Sequence, residues 1–171
     1  MEGKTVLRPG ITNPRLWHPE RPPRHEWNKI RRIVLERDNY TCSFCGHRAK
    51  KYMNIHHTEK SGDNSPDNLT TICAACHAVS HIGRNLDLGV IEIWESDKSQ
   101  VDIIRYTREG VKNGKSLNQI KKELPLRKGP YPPDSVEYAN SMIPKMRDAP
   151  RGYLDEPLCA VFVKFKRWQI E

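Results

Sequence analysis

Two pairs of histidines and two pairs of cysteines are the residues of this sequence best suited to chemistry. They fall between positions 42 and 81, with an asparagine, Asn68, between the two histidine pairs. Their members are His56, His57, His77 and His81, and Cys42, Cys45, Cys73 and Cys76. Imidazole and thiolate are the ligands that zinc and related divalent ions prefer, and imidazole is also a general base near pH 7. This stretch therefore predicts metal binding combined with acid–base chemistry.

The four cysteines form two Cys-x-x-Cys motifs, and the first motif is followed by Gly46. Each motif lets two thiolates converge on one ion, and the glycine permits a backbone conformation that other residues resist. Two such motifs are the usual way to close a tetrahedral zinc site. We therefore expect one structural Zn²⁺ on all four thiolates, and a buried, apolar role for Cys159.

The elements that must position the histidines are predicted to be a strand, a turn-rich loop, a second strand and a helix. They cover, in that order, residues 52–57, 58–68, 69–72 and 74–82. His77 and His81 are four positions apart, so on a helix they project from one face. Adjacent residues of a strand point to opposite sides, so one of His56 and His57 is expected to bind metal while the other acts as a base. Asn68 returns from the loop, where it could hold the ring of that base in one orientation.

These motifs resemble those of the HNH endonucleases, whose ββα-metal fold also occurs in colicin nuclease domains. The resemblance covers about residues 28–83 and is carried by Ile55-His56-His57, Pro66-Asp67-Asn68-Leu69 and Cys73-x-x-Cys76-His77-x-x-x-His81. It implies that His57 is the general base, that His56 and His77 are metal ligands, and that Asn68 orients the base. His81 matches a further helical histidine of the colicin-like members, which binds metal or phosphate.

The preferred catalytic ion is left open by one departure from the family pattern. Many members have Asp where this sequence has His56. An imidazole-rich site favours Zn²⁺, Ni²⁺ or Mn²⁺, whereas a carboxylate favours Mg²⁺. One catalytic divalent cation is therefore expected, drawn from these four.

The charge distribution favours a polyanionic partner. The net charge of +8 is spread as +7 over residues 1–51, −4 over residues 52–100 and +5 over residues 101–171. Basic segments on both sides of a histidine-rich centre are typical of a protein that holds nucleic acid while the centre acts on it. Basic surfaces that only aid solubility are the alternative interpretation of the charge, and double-stranded DNA is the partner that the resemblance implies. The candidate phosphate contacts are Lys29, Arg31, Arg32 and Arg84.

The sequence predicts an α+β fold. It comprises a ββα-metal finger core stapled by the four-cysteine zinc site, with a mainly helical C-terminal extension. Four segments are expected: a basic Pro-rich arm at residues 1–25, an HNH nuclease domain at 26–84, a linker at 85–100, and a helical C-terminal region at 101–171 in which DNA binding is one interpretation. The apolar residues of the linker could add a strand or pack on the core. No apolar run approaches a membrane span and no signal-peptide pattern opens the chain, so a cytoplasmic location is expected.

Helices in the flanking segments are predicted from apolar spacing and capping signals. They cover residues 26–37, 101–111, the segment after Ser116, whose Gln119 completes a capping box, and residues 135–146. Residues 157–170 fit both a helix and an alternating strand, and Asp155 and Pro157 favour the helix.

The predicted function is that of a metal-dependent endonuclease that cleaves or nicks double-stranded DNA and leaves 5′-phosphate and 3′-hydroxyl ends. The alternative is a catalytically silent, zinc-stabilised DNA-binding module, which would not need the full set of histidines and Asn68. RNA as substrate ranks lower because the aromatic residues form no recognisable base-stacking platform. The oligomeric state is left open, with a dimer as one option.

Overall fold

Three two-stranded antiparallel sheets and seven helices form the part of the chain that the computed structural model describes, which is residues 6–13, 15–16, 21–58 and 63–164. In chain order the elements are β1 (Gly10–Thr12), α1 (Arg24–Arg37), β2 (Met53–His57), β3 (Leu69–Cys73), α2 (Ala74–Val79), α3 (Ile82–Asp87), β4 (Ile91–Glu95), α4 (Gln100–Lys112), α5 (Leu117–Glu123), α6 (Glu137–Asn140), α7 (Ile143–Met146), β5 (Arg151–Tyr153) and β6 (Leu158–Phe162). Within those residues, no helix has the length and apolar character that crossing a bilayer requires.

Helix α1 packs against the hairpin that carries the histidines. It begins after Pro23, two residues earlier than predicted, and buries Val34 and Leu35. Its end is fixed by Asp38, whose Oδ2 accepts from the backbone N–H of Thr71 at 2.9 Å. One side of β3 is thereby tied to the end of the helix.

Strands β2 and β3 form the predicted hairpin, with a short 3-10 turn at Pro66–Asn68 before β3. The antiparallel register places Met53 opposite Cys73 and His57 opposite Leu69. Met53 and Leu69 are buried, so they anchor the hairpin in the core. Helix α2 follows directly, which confirms the predicted order of strand, loop, strand and helix.

The predicted helix over residues 74–82 is broken in two. Helix α2 ends at Val79, and α3 begins at Ile82 after a turn in which His81 has a non-helical backbone. Val79 and Ile82 are both fully buried, so the turn is held by the core rather than exposed.

One prediction for the C-terminal half is wrong, because the helix predicted over 157–170 is replaced by β6 in the described residues. Residues 85–100, predicted as a linker whose apolar residues could add a strand, contain the end of α3 and strand β4. The two strands pair with each other, Ile91 opposite Phe162 and Ile93 opposite Ala160. The apolar spacing fits both periods, and β4, whose Ile91 and Ile93 are fully buried, supplies a partner that selects the strand. Residues 165–170 of that prediction lie outside the described residues.

Helices α4 and α5 confirm the predictions made for them. The hydroxyl of Ser116 accepts from the backbone N–H of Gln119 while the Gln119 side chain accepts from the backbone N–H of Ser116, which is the expected capping box. The helix predicted over 135–146 is two short helices, α6 and α7. The C-terminal region is therefore helical with two strands added, since β5 and β6 also lie in it.

A short sheet joins the two ends of the chain. Strand β1, in the segment predicted to be an irregular arm, pairs with β5 and sets Thr12 opposite Arg151. The backbone N–H of Asn13 continues the contact by donating to the carbonyl of Pro150 at 2.8 Å. The arm is thus part of the folded structure where it is described.

Candidate functional site

The two Cys-x-x-Cys motifs converge as their spacing predicts. All four thiols are buried, and their sulfurs lie within 4.8 Å of one another. The Sγ atoms of Cys45 and Cys73, one from each motif, are 3.6 Å apart. Tetrahedral zinc thiolates have sulfur–sulfur separations of about 3.8 Å, so this donor set fits one metal ion.

A buried arginine of α4 donates to this cluster. Arg108 Nη1 lies 3.4 Å from the Sγ of Cys45, and its Nη2 lies 3.3 Å from the Sγ of Cys73. One turn earlier, Arg105 Nε donates to the carbonyl of Cys45 at 3.1 Å. Hydrogen bonds within the cysteine cluster, with a further contribution from Arg108, hold the pKa of the Cys45 thiol far below its usual range. The C-terminal half is therefore fastened to both cysteine motifs.

Three of the four predicted histidines form a second cluster. The ring nitrogens of His56, His77 and His81 that could bind a metal lie within 4.8 Å of one another. His56 comes from β2, His77 from α2, and His81 from the turn that precedes α3. The rings of His77 and His81 meet edge to face, with centroids 4.7 Å apart. These three imidazoles could hold one divalent cation.

Burial keeps the three rings uncharged. Burial, with the charge of Arg151 among the lesser causes, lowers the pKa of His56 to about 2 and the pKa values of His77 and His81 to about 4 each. A neutral imidazole has a lone pair available for a metal, whereas a protonated one does not. The cluster therefore has ligating chemistry at neutral pH.

His57 lies on the opposite side of β2, as the alternation of a strand requires. Its ring stacks against Trp27 of α1, with centroids 6.2 Å apart and an interplanar angle of 22°. Its Nε2 lies 2.9 Å from Oδ1 of Asn64, a contact that holds the ring in one orientation. Burial lowers the pKa of His57. The ring is therefore neutral near pH 7, as a general base must be.

Asn68 braces the loop between the two strands. Its Oδ1 accepts from the hydroxyl of Thr58 at 2.8 Å, and its Nδ2 donates to the carbonyl of Asp63 at 2.9 Å. Its backbone carbonyl also accepts from the N–H of Thr58 at 2.9 Å. These bonds hold the residue that follows His57, while Asn64 supplies the amide that meets the ring. Sequence reasoning missed Asn64, which lies in a loop where polar residues are common.

Arg151 and Thr12 are further members of the site that the sequence does not reveal. Arg151 Nη1 contacts Nε2 of His56, and its Nη2 donates to the carbonyl of His57 at 2.7 Å. Thr12 Oγ1 lies 3.5 Å from Nδ1 of His81. These two residues face each other across the sheet of β1 and β5, far from the histidines in sequence, and neither belongs to a motif. The guanidinium joins the histidine cluster to the strand end that carries His57.

The four predicted phosphate contacts occupy different surroundings. Lys29, Arg32 and Arg84 are exposed. Arg31 donates from Nη2 to the carbonyl of Met53 at 2.6 Å, which ties α1 to β2. Three of the four therefore present a cationic head to solvent, while Arg31 also has a structural role.

Comparison with known proteins supports a nuclease relationship over part of the chain. A protein of Lactococcus phage SK1 named "Probable HNH endonuclease" is 39% identical over 61 residues, which cover 30% of this chain and 65% of the phage protein. Zorya protein ZorE of Escherichia coli is 27% identical over 100 residues, which cover 55% of this chain and 25% of that protein. No family model matches the chain. The chain thus spans less than two thirds of the phage protein and a quarter of ZorE.

Proposed function

We propose that this protein is a metal-dependent endonuclease of the HNH type that hydrolyses phosphodiester bonds of double-stranded DNA. One observation carries the proposal. Strand β2 bears His56, a member of the three-histidine cluster, and directly after it the separate, neutral His57. The hairpin and α2 then correspond to the ββα-metal core, and the four cysteines to its structural zinc site. The similarity to the phage protein supports the same assignment.

The three imidazoles fit a catalytic cation in chemistry and in position. They are uncharged, they come from β2, α2 and the turn before α3, and their ligating atoms lie within 4.8 Å of one another. His56, His77 and His81 would hold the ion. When bound, a divalent cation supplies the positive charge that stabilises a 3′ oxygen as it leaves phosphorus. Its nitrogen-rich surroundings favour Zn²⁺, Ni²⁺ or Mn²⁺ over Mg²⁺.

His57 is the general base in this proposal. Its ring takes a proton from a water molecule, which attacks phosphorus in line with the departing 3′ oxygen. Asn64 and Trp27 hold the ring in place while the proton moves. Asn68 contributes indirectly, because it fixes the loop end that follows the base. The products carry 5′-phosphate and 3′-hydroxyl ends.

Arg151 is placed to bind the phosphate that undergoes attack. Its two terminal nitrogens already reach the ring of His56 and the carbonyl of His57. A guanidinium at this point can donate to the non-bridging oxygens of a phosphate and offset the charge that grows on them. Lys29 and Arg32 of α1 would contact the backbone of the same duplex further along.

The proposal is tested by incubating supercoiled plasmid with the full chain and each of Mg²⁺, Mn²⁺, Ni²⁺ and Zn²⁺. We expect nicked or linear products whose ends are rejoined by DNA ligase, as 5′-phosphate and 3′-hydroxyl ends require. His57→Ala should lower the initial rate by about 10²–10⁴-fold, the usual contribution of a general base. The matched control is His25→Gln, because His25 is exposed on α1 and lies outside both clusters.

Two results would contradict the proposal. Cleavage by His57→Ala at the rate of the unchanged protein would remove the base assignment. Plasmid binding without cleavage under any of the four ions would instead favour the silent, zinc-stabilised DNA-binding module. A mild chelator separates the two further, since it should abolish cleavage while the thiolate-held metal, the fold and DNA binding persist.

A further inference from the structure

A cleft of about 610 Å³ opens beside the histidine cluster. His77, His81 and Asn54 of β2 belong to its lining. The C-terminal half of the chain also contributes, through Val90 before β4 and Phe162 of β6. Ligand sites in proteins have volumes of about 300–1,000 Å³, so the cleft is large enough for one nucleotide.

The cleft lining suits an anion that carries an apolar ring. Arg84 and Lys164 line it and both are exposed, and no carboxylate side chain belongs to its described lining. Leu88 also lines it and is 52% exposed, so its apolar side chain is accessible to a bound ligand. A nucleotide would match this lining, with its phosphate at Arg84 and Lys164 and its base against Leu88.

The position of the cleft fixes which nucleotide it could take. Asn54 and His56 lie on the same side of β2 because they are two residues apart, whereas His57 lies on the other side. In an in-line reaction, the attacking water and the leaving oxygen lie on opposite sides of phosphorus. The base therefore marks the side of attack, and the histidine cluster with its adjoining cleft marks the side of the leaving 3′ oxygen.

We propose that this cleft binds the nucleotide on the 5′ side of the scissile phosphate, the one whose 3′ oxygen leaves. This inference rests on the proposed endonuclease function. Arg84 and Lys164 hold the next phosphate of that strand, and Leu88 contacts the base of the bound nucleotide. The residues come from α3 and from the end of β6, so substrate binding draws on parts of the chain outside the histidine motifs.

A paired substitution tests the cationic contacts. Arg84→Gln with Lys164→Gln should raise KM for a duplex containing a mapped cleavage site by about tenfold or more, since a charged hydrogen bond to phosphate contributes about that factor. The matched control is Lys98→Gln with Lys128→Gln, which removes the same charge from exposed positions near the far end of β4. Equal KM values for the two double variants would overturn the proposal.

A base-removal experiment tests which nucleotide is held. An abasic site at the 5′ neighbour of the scissile phosphate should slow cleavage by the unchanged protein several-fold, but should have little further effect on Leu88→Ser. An abasic site at the 3′ neighbour should slow both proteins equally. The exposed Ile143, 60% accessible on α7, supplies the control Ile143→Ser, which should respond to the 5′ abasic site as the unchanged protein does. Equal sensitivity of Leu88→Ser to both abasic sites would overturn the assignment.

A binding readout separates failure of this proposal from failure of the endonuclease function. A short single-stranded oligonucleotide containing 4-thiothymidine is irradiated with the full chain in chelator, and the adducts are mapped by mass spectrometry. Adducts within residues 84–90 and 162–164 that are lost in the Arg84 and Lys164 double variant support the cleft even if no cleavage occurs. Adducts confined to other surfaces overturn it even if the protein cleaves DNA.

Discussion

Replacing Arg108 by glutamine should destabilise the protein more than any other single charge removal on α4. Arg108 is only 7% exposed, and its two terminal nitrogens lie 3.4 and 3.3 Å from sulfurs of different cysteine motifs. Each hydrogen bond to a charged group contributes about 1.5–3 kcal/mol, and breaking a buried charge pair costs about 3–5 kcal/mol. We therefore expect a loss of about 3–5 kcal/mol, a large part of the 5–15 kcal/mol that typical domains possess.

The assay is guanidinium unfolding of the metal-loaded protein, followed by circular dichroism and by a colorimetric indicator for released zinc. Unfolding and zinc release should shift together to lower denaturant in Arg108→Gln. The midpoints of Arg108→Lys should fall between those of the unchanged protein and those of Arg108→Gln, because an ammonium keeps the charge but cannot bridge two sulfurs in a planar fork. Arg105→Gln is the matched control, since it loses one bond to a backbone carbonyl at a more exposed position. Equal midpoints for Arg108→Gln and Arg105→Gln would refute the reasoning.

Three further predictions concern the phosphate contact, the packing of α4 and the end of α1. Arg151→Ala should lower the initial rate of plasmid cleavage by about 10²-fold, as loss of one charge-stabilising donor does elsewhere; a rate within twofold of the original would contradict its role. Gly110→Ala should lower the melting temperature by about 2–4 °C. The new Cβ would lie 2.7 Å from a buried isoleucine of α5, and the cost of that overlap exceeds the gain in helix propensity. An unchanged or higher melting temperature would contradict this packing. Asp38→Ala should cost about 1–3 kcal/mol in urea unfolding, because the N–H of Thr71 loses its acceptor. Although burial acts to raise it, hydrogen bonds from Arg37 and Thr71 lower the pKa of Asp38. This contribution is therefore present at neutral pH and should shrink as pH falls below about 3.8. A difference that grows as pH falls through this range would contradict it.

Local signals were sufficient for the elements that carry the motifs. The capping box at Ser116 and the alternation around His56 each depend on neighbours within a few residues, so short-range geometry decides them. The structure accordingly has the helix and the strand that these patterns predict. The four-cysteine cluster joins motifs 28 positions apart, and it is predicted because two Cys-x-x-Cys motifs together complete one tetrahedral zinc site.

Long-range partners decided the features that were missed. Strand β6 has an apolar spacing that suits two periods, and only pairing with β4 selects one of them. Arg151 is one of many arginines in a basic chain, and its contact with a histidine 95 positions away depends on the sheet that joins β1 to β5. The break between α2 and α3 likewise follows from buried contacts of Ile82, which the helical spacing of His77 and His81 does not reveal.

The most direct test of the metal assignment is anomalous X-ray diffraction from crystals grown with Zn²⁺ and then soaked in Mn²⁺, recorded on both sides of each metal's absorption edge. We expect one peak among the four cysteine sulfurs and a second about 2.1 Å from ring nitrogens of His56, His77 and His81. The head of Arg151 should move from the ring of His56 in the same crystals, since the ion and the guanidinium compete for one lone pair. A peak at the cysteines alone, with Arg151 still on His56 at saturating Mn²⁺, would contradict a metal-dependent nuclease site.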